Sequence, residues 1–258
     1  MAFSPEYTKT IKEASKHFKA CNFDMALFIM DGLKKSRLAE CTADPDYEIL
    51  YSQFLTDAVK NWRCLVYEHH PRLTSIFGWK KMPSDFIERN ENVLKSMCAQ
   101  DESDRSIFYV LIDFTRFENL KSFSLFEFAT SVFYVGEGRA GRCHEHYDEL
   151  KRNLLGDVDM SHSRKFTRML PLLAANEPGY GIVSTPSMYS KKAVTVVEAA
   201  LIDTLKMKNI SNIQYGRFLE DSANWSNDEV GDFGSFCLFK LYELAKSFGI
   251  KTVKHRGI

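Results

Sequence analysis

The feature that most constrains this chain is one seven-residue run, Ile107-Phe108-Tyr109-Val110-Leu111-Ile112-Asp113. It is too uniformly apolar to be a half-exposed strand and rich in β-branched and aromatic residues. A strand buried on both faces reads this way. The run follows a short polar, acidic link, Gln100-Asp101-Glu102-Ser103-Asp104, and the chain changes texture across it.

Before the link, apolar residues recur at helical spacing. Ser4-Pro5-Glu6 has the chemistry of a helix start, a capping hydroxyl followed by a proline whose missing N–H costs nothing there. Ile11, Ala14 and Phe18 continue that period, residues 25–38 resume it after Asn22-Phe23-Asp24, residues 47–67 form a third stretch, and Pro83-Ser84-Asp85 opens a fourth through residue 97. Residues 14–35 resemble a single tetratricopeptide-type helical hairpin. Such repeats need neighbours to bury their faces, so a plain helical packing region is the other reading.

After the link, strands and helices alternate. Residues 131–136 read as a second strand, ended by Gly136 and Gly138. Residues 142–155 and 161–175 read as helices, 181–185 as a short strand, 193–206 as a helix, and 228–248 as a long helix stopped by Gly249. The expected architecture is α+β, a small central β-sheet flanked by helices and preceded by an all-helical N-terminal region. The expected divisions are residues 1–99, 105–220 and a helical extension, 221–258, packing on the second unit.

Composition narrows the partners. Lys+Arg and Asp+Glu both number 34, so any basic footprint has to be local. The six cysteines are scattered without a CxxC pair, which fits reduced thiols better than a disulfide scaffold. There is no signal-like apolar segment at the start and no run of about 18 apolar residues. A soluble protein of the nucleus and/or cytoplasm, with no membrane partner, is expected.

Four residues suggest chemistry. Tyr134 ends a strand just before Val135-Gly136, where its hydroxyl could reach a cleft; alone, such a tyrosine is more often core. Arg142 and His146 stand four apart, on one face of a helix, joining a cationic fork suited to phosphate oxygens to an imidazole; a solvated helix face is the plainer reading. Glu198 lies in the apolar stretch Val194-Thr195-Val196-Val197-Glu198-Ala199-Ala200-Leu201-Ile202. Carboxylates are seldom buried without a cation, so Glu198 is either a metal ligand or half of a buried salt bridge.

Taken in order, these residues resemble the GIY-YIG nuclease superfamily, and most closely its animal branch of ankyrin-repeat and LEM-domain endonucleases. Ile107-Phe108-Tyr109 stands at the Gly-Ile-Tyr motif and Tyr134-Val135-Gly136 at the Tyr-Ile-Gly motif. Arg142, His146, Glu198 and Asn212 stand at the superfamily's arginine, Tyr/His, glutamate and asparagine. The similarity runs over residues 106–216. The resemblance implies hydrolysis of DNA phosphodiester bonds, structure-selective cutting of branched DNA included, and a role in DNA repair. It also implies a single Mg²⁺ or Mn²⁺ held by Glu198, Tyr109, Tyr134 and His146 placing and deprotonating the attacking water, and Arg142 neutralising phosphate charge. Asn212 would bind the substrate backbone or brace the site. Lys151, Arg152, Arg164, Lys165, Arg168, Lys191 and Lys192 are expected to form a DNA-tracking face. The first motif keeps only its tyrosine, and Glu137 stands where many relatives carry lysine. Those departures motivate a second reading, a weakened GIY-YIG-fold module that binds nucleic acid or protein. The N-terminal helices could also receive a protein partner. Cys143-His144-x-His146 lacks a fourth ligand for zinc, His69-His70 reads as a loop pair, and no Gly-x-Ser-x-Gly or Gly-Lys-Ser/Thr loop is present.

Overall fold

A computed structural model describes residues 3–19, 23–64, 68–79, 82–117, 119–154, 164–174 and 180–253. The N-terminal helices are α1 (Pro5–Lys19), α2 (Phe23–Ser36), α3 (Leu38–Ala43) and α4 (Pro45–Cys64). Ser4 caps α1 by accepting the Tyr7 amide at 3.2 Å. The helices bury Tyr7, Ala14, Met30, Leu33, Tyr47 and Phe54 in a core of their own. Two tyrosine hydroxyls tie it together: Tyr47 donates to the Met30 carbonyl at 2.7 Å and Tyr7 to Asp44 at 2.8 Å. α1 and α2 pack against each other and α4 packs on α2. The hinge of the tetratricopeptide-like hairpin, residues 20–22, lies outside the described residues.

Next come α5 (Pro71–Ile76) and α6 (Ser84–Ser96), then β1 (Ile107–Asp113), α7 (Leu125–Ser131) and β2 (Val132–Gly138). They are followed by α8 (Arg142–Leu154), α9 (Arg164–Ala174), β3 (Tyr180–Ser184), α10 (Lys191–Leu205), α11 (Asn227–Phe248) and β4 (Lys251–Val253). The four strands form one antiparallel sheet in the order β2-β1-β3-β4. β1 lies between β2 and β3, and all seven of its residues are buried. Its alternate side chains serve two cores. Phe108, Val110 and Ile112 join α5, α6, α7, α10 and α11, whereas Ile107, Tyr109 and Leu111 join α8 and α9. The apolar run is therefore the middle layer of a three-layer sandwich.

Some elements differ from expectation. Ser131 closes α7 rather than opening β2. That helix escapes the sequence period because it is seven residues long, yet it has a full capping box between Ser124 and Glu127. β4 is too short and polar to signal itself. Leu73, Ile76, Phe86 and Leu94 of α5 and α6 share a core with Phe108, so the polar link 100–104 joins elements of one core. His69 and His70 do lie in the loop before α5, and both are buried: His70 Nδ1 caps α5 by accepting the Arg72 amide at 3.1 Å, and His69 Nδ1 meets the Leu205 carbonyl at 3.3 Å.

Candidate active site

Tyr109 lies opposite Gly136 in the β1–β2 register. A Cβ at residue 136 would fall 2.5 Å from the Tyr109 hydroxyl oxygen. Glycine is therefore required there, because it lets the tyrosine ring lie across β2. The Tyr109 hydroxyl meets His146 Nε2 at 2.5 Å. Tyr134, on the edge strand β2, sets its ring edge-on to the same imidazole, with centroids 5.3 Å apart.

α8 organises the cationic side. Arg142, His146 and Glu149 are spaced i, i+4, i+7, one face of a helix. Glu149 accepts from Arg142 Nη1 at 2.5 Å, contacts His146 Nδ1 at 3.1 Å, and accepts from Lys165 of α9 at 3.3 Å. Arg142 Nη1 also donates to Glu145 at 2.6 Å. Both bonds use Nη1, and no hydrogen bond from Nε or Nη2 is seen among the described residues. Burial disfavours the Glu149 carboxylate, but Arg142, Lys165 and His146 prevail and hold its pKa down at about 2. Burial, then Lys165, lowers His146 to about 4, so the imidazole is neutral at physiological pH. Burial also lowers Lys165 to about 8 against the pull of Glu149.

Lys165 Nζ stands 2.7 Å from His146 Nδ1. A protonated Lys165 donates to that nitrogen and leaves the imidazole proton on Nε2, facing Tyr109. When Lys165 is neutral, Nδ1–H can donate to Glu149 and Nε2 becomes an acceptor for the Tyr109 proton. The charge of Lys165 thus selects which way the Tyr109–His146 bond runs.

Glu198 approaches from α10. Its half-buried carboxylate has no hydrogen bond or ion pair among the described residues. Burial, then Glu137, raises its pKa to about 7, with Lys191 opposing. Burial and Glu198 push Tyr134 up to about 12; burial, then Tyr134, also raises Tyr109. Tyr134, Lys165, Glu198 and Asn212 line one open cleft of about 720 Å³ along the edge of β2. The Asn212 amide is buried and paired in both directions with the Val135 backbone, accepting its N–H at 3.0 Å and donating to its carbonyl at 2.8 Å. Asn212 thus behaves as a substitute strand residue that covers the β2 edge.

The structure splits the seven expected DNA-contacting cations. Lys151, Arg152 and Arg164 are exposed. Lys165 and Arg168 are buried, Lys165 in the site and Arg168 donating to the Asn209 carbonyl at 2.9 Å. Lys191 pairs with Glu137, and Lys192 with Glu220 at 2.7 Å. Sequence reasoning missed Glu149 as the hub, although its i+7 spacing from Arg142 was visible. It took Lys165 for surface, because its inward direction is set by the packing of α9.

An α+β sandwich whose edge cleft is lined by Tyr134, Lys165 and Glu198, with a Tyr109–His146–Glu149–Arg142 network beside Tyr134, fits the class of GIY-YIG nuclease-superfamily domains. The family model described as the LEM-3-like GIY-YIG domain matches residues 106–258, and the chain belongs to that family. It is 24% identical over 190 residues to the ankyrin repeat and LEM domain-containing protein 1 homolog of Caenorhabditis elegans. That match covers 71% of this chain and 27% of the worm protein, so the chain spans about a quarter of that relative. No solved structure gives a significant match. Among the described residues, no helix is long and apolar enough to cross a membrane.

Proposed function

We propose that this chain is a metal-dependent endonuclease that hydrolyses phosphodiester bonds in DNA, with selectivity for branched structures. The observation that carries the reading is one half-buried carboxylate, Glu198, without a hydrogen bond or ion pair among the described residues, lining the same cleft as Tyr134 and Lys165, the two residues that contact the Tyr109–His146–Glu149–Arg142 network.

Glu198 fits a hard divalent cation. It is an oxygen donor already desolvated and lacking an internal cation, and the open cleft leaves room for the waters that Mg²⁺ or Mn²⁺ retains. When bound, the ion supplies Lewis-acid polarisation of the phosphate and neutralises charge on the leaving oxygen. The chain's own groups do the rest. Tyr134 and Tyr109 place the attacking water, and His146 accepts a proton through the Tyr109 hydroxyl once Lys165 is neutral and Nε2 is free to accept. Arg142 balances negative charge growing on the phosphoryl oxygens. Asn212 keeps the cleft wall in place through Val135. In this reading the exposed Lys151, Arg152, Arg164, Lys191 and Lys192 track a DNA backbone, with the buried Lys165 and Arg168 supporting from within. The setting we infer is intracellular, in the nucleus and/or cytoplasm, in DNA repair, with α1–α4 offering a surface to a protein partner.

One observation favours the second reading, a DNA-binding module without catalysis. Glu137 adds a second carboxylate to the cleft and is neutralised by Lys191 rather than by a ligand. Incubating the protein with linear and branched DNA, with Mg²⁺ or with chelator, separates the two. Magnesium-dependent strand breaks support the nuclease, and binding that is indifferent to metal and leaves the DNA intact supports the module.

A further inference from the structure

Residues 206–219, between α10 and the 3₁₀ turn Glu220–Asn224, form no helix or strand. A loop of that length in a compact domain usually has work of its own. This loop is also pinned. At one end Asn212 is bonded to Val135, the neighbour of Tyr134. At the other, Gly216 lies so close on α10 that a Cβ would fall 2.2 Å from the Cα of Ala199, the neighbour of Glu198. Between the pins stand Ile213, Gln214 and Tyr215, all turned outward; Ile213 is 61% and Tyr215 73% exposed. Two large apolar side chains are thus held in water at positions fixed on both sides by contacts next to catalytic candidates.

Tyr215 also separates two cavities. It lines the cleft that holds Glu198 and a second cavity of about 380 Å³ lined by Ile202, Met207 and Lys208. Arg217, two residues on, is exposed in the cleft and forms no ion pair among the described residues.

We propose that Tyr215 is a stacking platform for an unpaired nucleobase at a DNA branch point, with Arg217 holding the adjacent phosphate. The inference rests on the nuclease reading and supplies its structure selectivity. A continuous duplex keeps its bases stacked on each other and offers the phenol ring no face. At a branch, an unpaired base can cover the exposed ring while one strand enters the cleft and the other turns toward the second cavity. An aromatic face is indifferent to base identity, so recognition is of structure rather than sequence. Because the loop is already pinned, little ordering entropy opposes that contact.

The test uses the full chain as wild type, Tyr215→Ala and Tyr215→Phe. The probes are a linear duplex and a three-way junction carrying 2-aminopurine at its unpaired branch point. In chelator, the wild type and Tyr215→Phe should quench the 2-aminopurine and Tyr215→Ala should not, with junction affinity falling roughly tenfold in the alanine variant. In Mg²⁺, the ratio of junction to duplex cleavage should fall towards one for Tyr215→Ala. Equal quenching and an unchanged ratio in all three proteins would overturn the stacking platform while leaving the nuclease reading intact. Quenching that depends on residue 215, with no cleavage by any of the three, supports the platform and sinks the nuclease reading.

Discussion

Glu198 is the residue on which stability and function oppose each other. Its folded pKa of about 7 lies above the ordinary carboxylate value of 4.5. The folded protein therefore holds a proton that the unfolded chain releases between those values. The sign follows: below about 4.5 the group costs nothing, and as pH rises through about 7 the full penalty of a desolvated carboxylate develops, up to about 3 kcal/mol before solvent screening. Glu198→Gln should accordingly melt higher than wild type at pH 8 and level with it at pH 4, read by scanning calorimetry without metal. On the proposed mechanism, the same ionisation governs the rate. Cleavage should climb as pH rises through about 7, and the midpoint should move lower as Mg²⁺ is raised, because metal binding and proton loss compete at one carboxylate. His146, titrating at about 4, adds no inflection in that window, whereas loss of the Lys165 proton at about 8 should add a second rise above it. A midpoint that ignores Mg²⁺ would show that Glu198 is not the metal's ligand.

Among the elements, β2 decides the geometry, and Gly136 decides β2. Alanine there would meet the Tyr109 ring and hydroxyl at 2.5 Å. Gly136→Ala should cost about 1–3 kcal/mol in denaturant unfolding, and it should also slow cleavage by displacing Tyr109 from His146. A variant that is less stable but cuts at the wild-type rate would remove Tyr109 from the mechanism. What the sequence revealed follows the same lines. β1, α10 and α11 were legible because burial on both faces, or a long helical period, leaves a strong pattern. The glycine of Tyr134-Val135-Gly136 was expected at a strand end, whereas β2 runs on to Gly138 and Gly136 sits inside it; its steric purpose needs the β1–β2 register. α7 and β4 were not read, being too short for their period to rise above composition. Tyr109, Tyr134, Arg142, His146 and Glu198 could be named because their spacing matches a motif. Glu149 and Lys165 could not, since their roles arise only where α9 packs against α8 and brings a lysine to an imidazole.

At the scale of the whole molecule, α1–α4 form one core and the sheet with its helices forms another, yet the two touch. α2 and α4 contact α9, which carries Lys165 into the site. The N-terminal helices thus brace the Lys165 side of the cleft from behind. Truncating a fully buried ring in their core, Phe54→Ala, should cost about 3–5 kcal/mol locally. Hydrogen exchange should then show lost protection in α1–α4 and α9, with β1 and α10 unchanged; uniform loss would mean a single cooperative unit. The central claim is that the edge cleft is a nuclease centre built on Glu198. The most direct measurement is the single-turnover cleavage rate of junction DNA in Mg²⁺ at pH 8, wild type against Glu198→Gln. The predicted result is Mg²⁺-dependent cutting by the wild type and a loss of roughly a thousandfold or more in the variant. Equal rates in the two proteins, or no cutting by either, would contradict it.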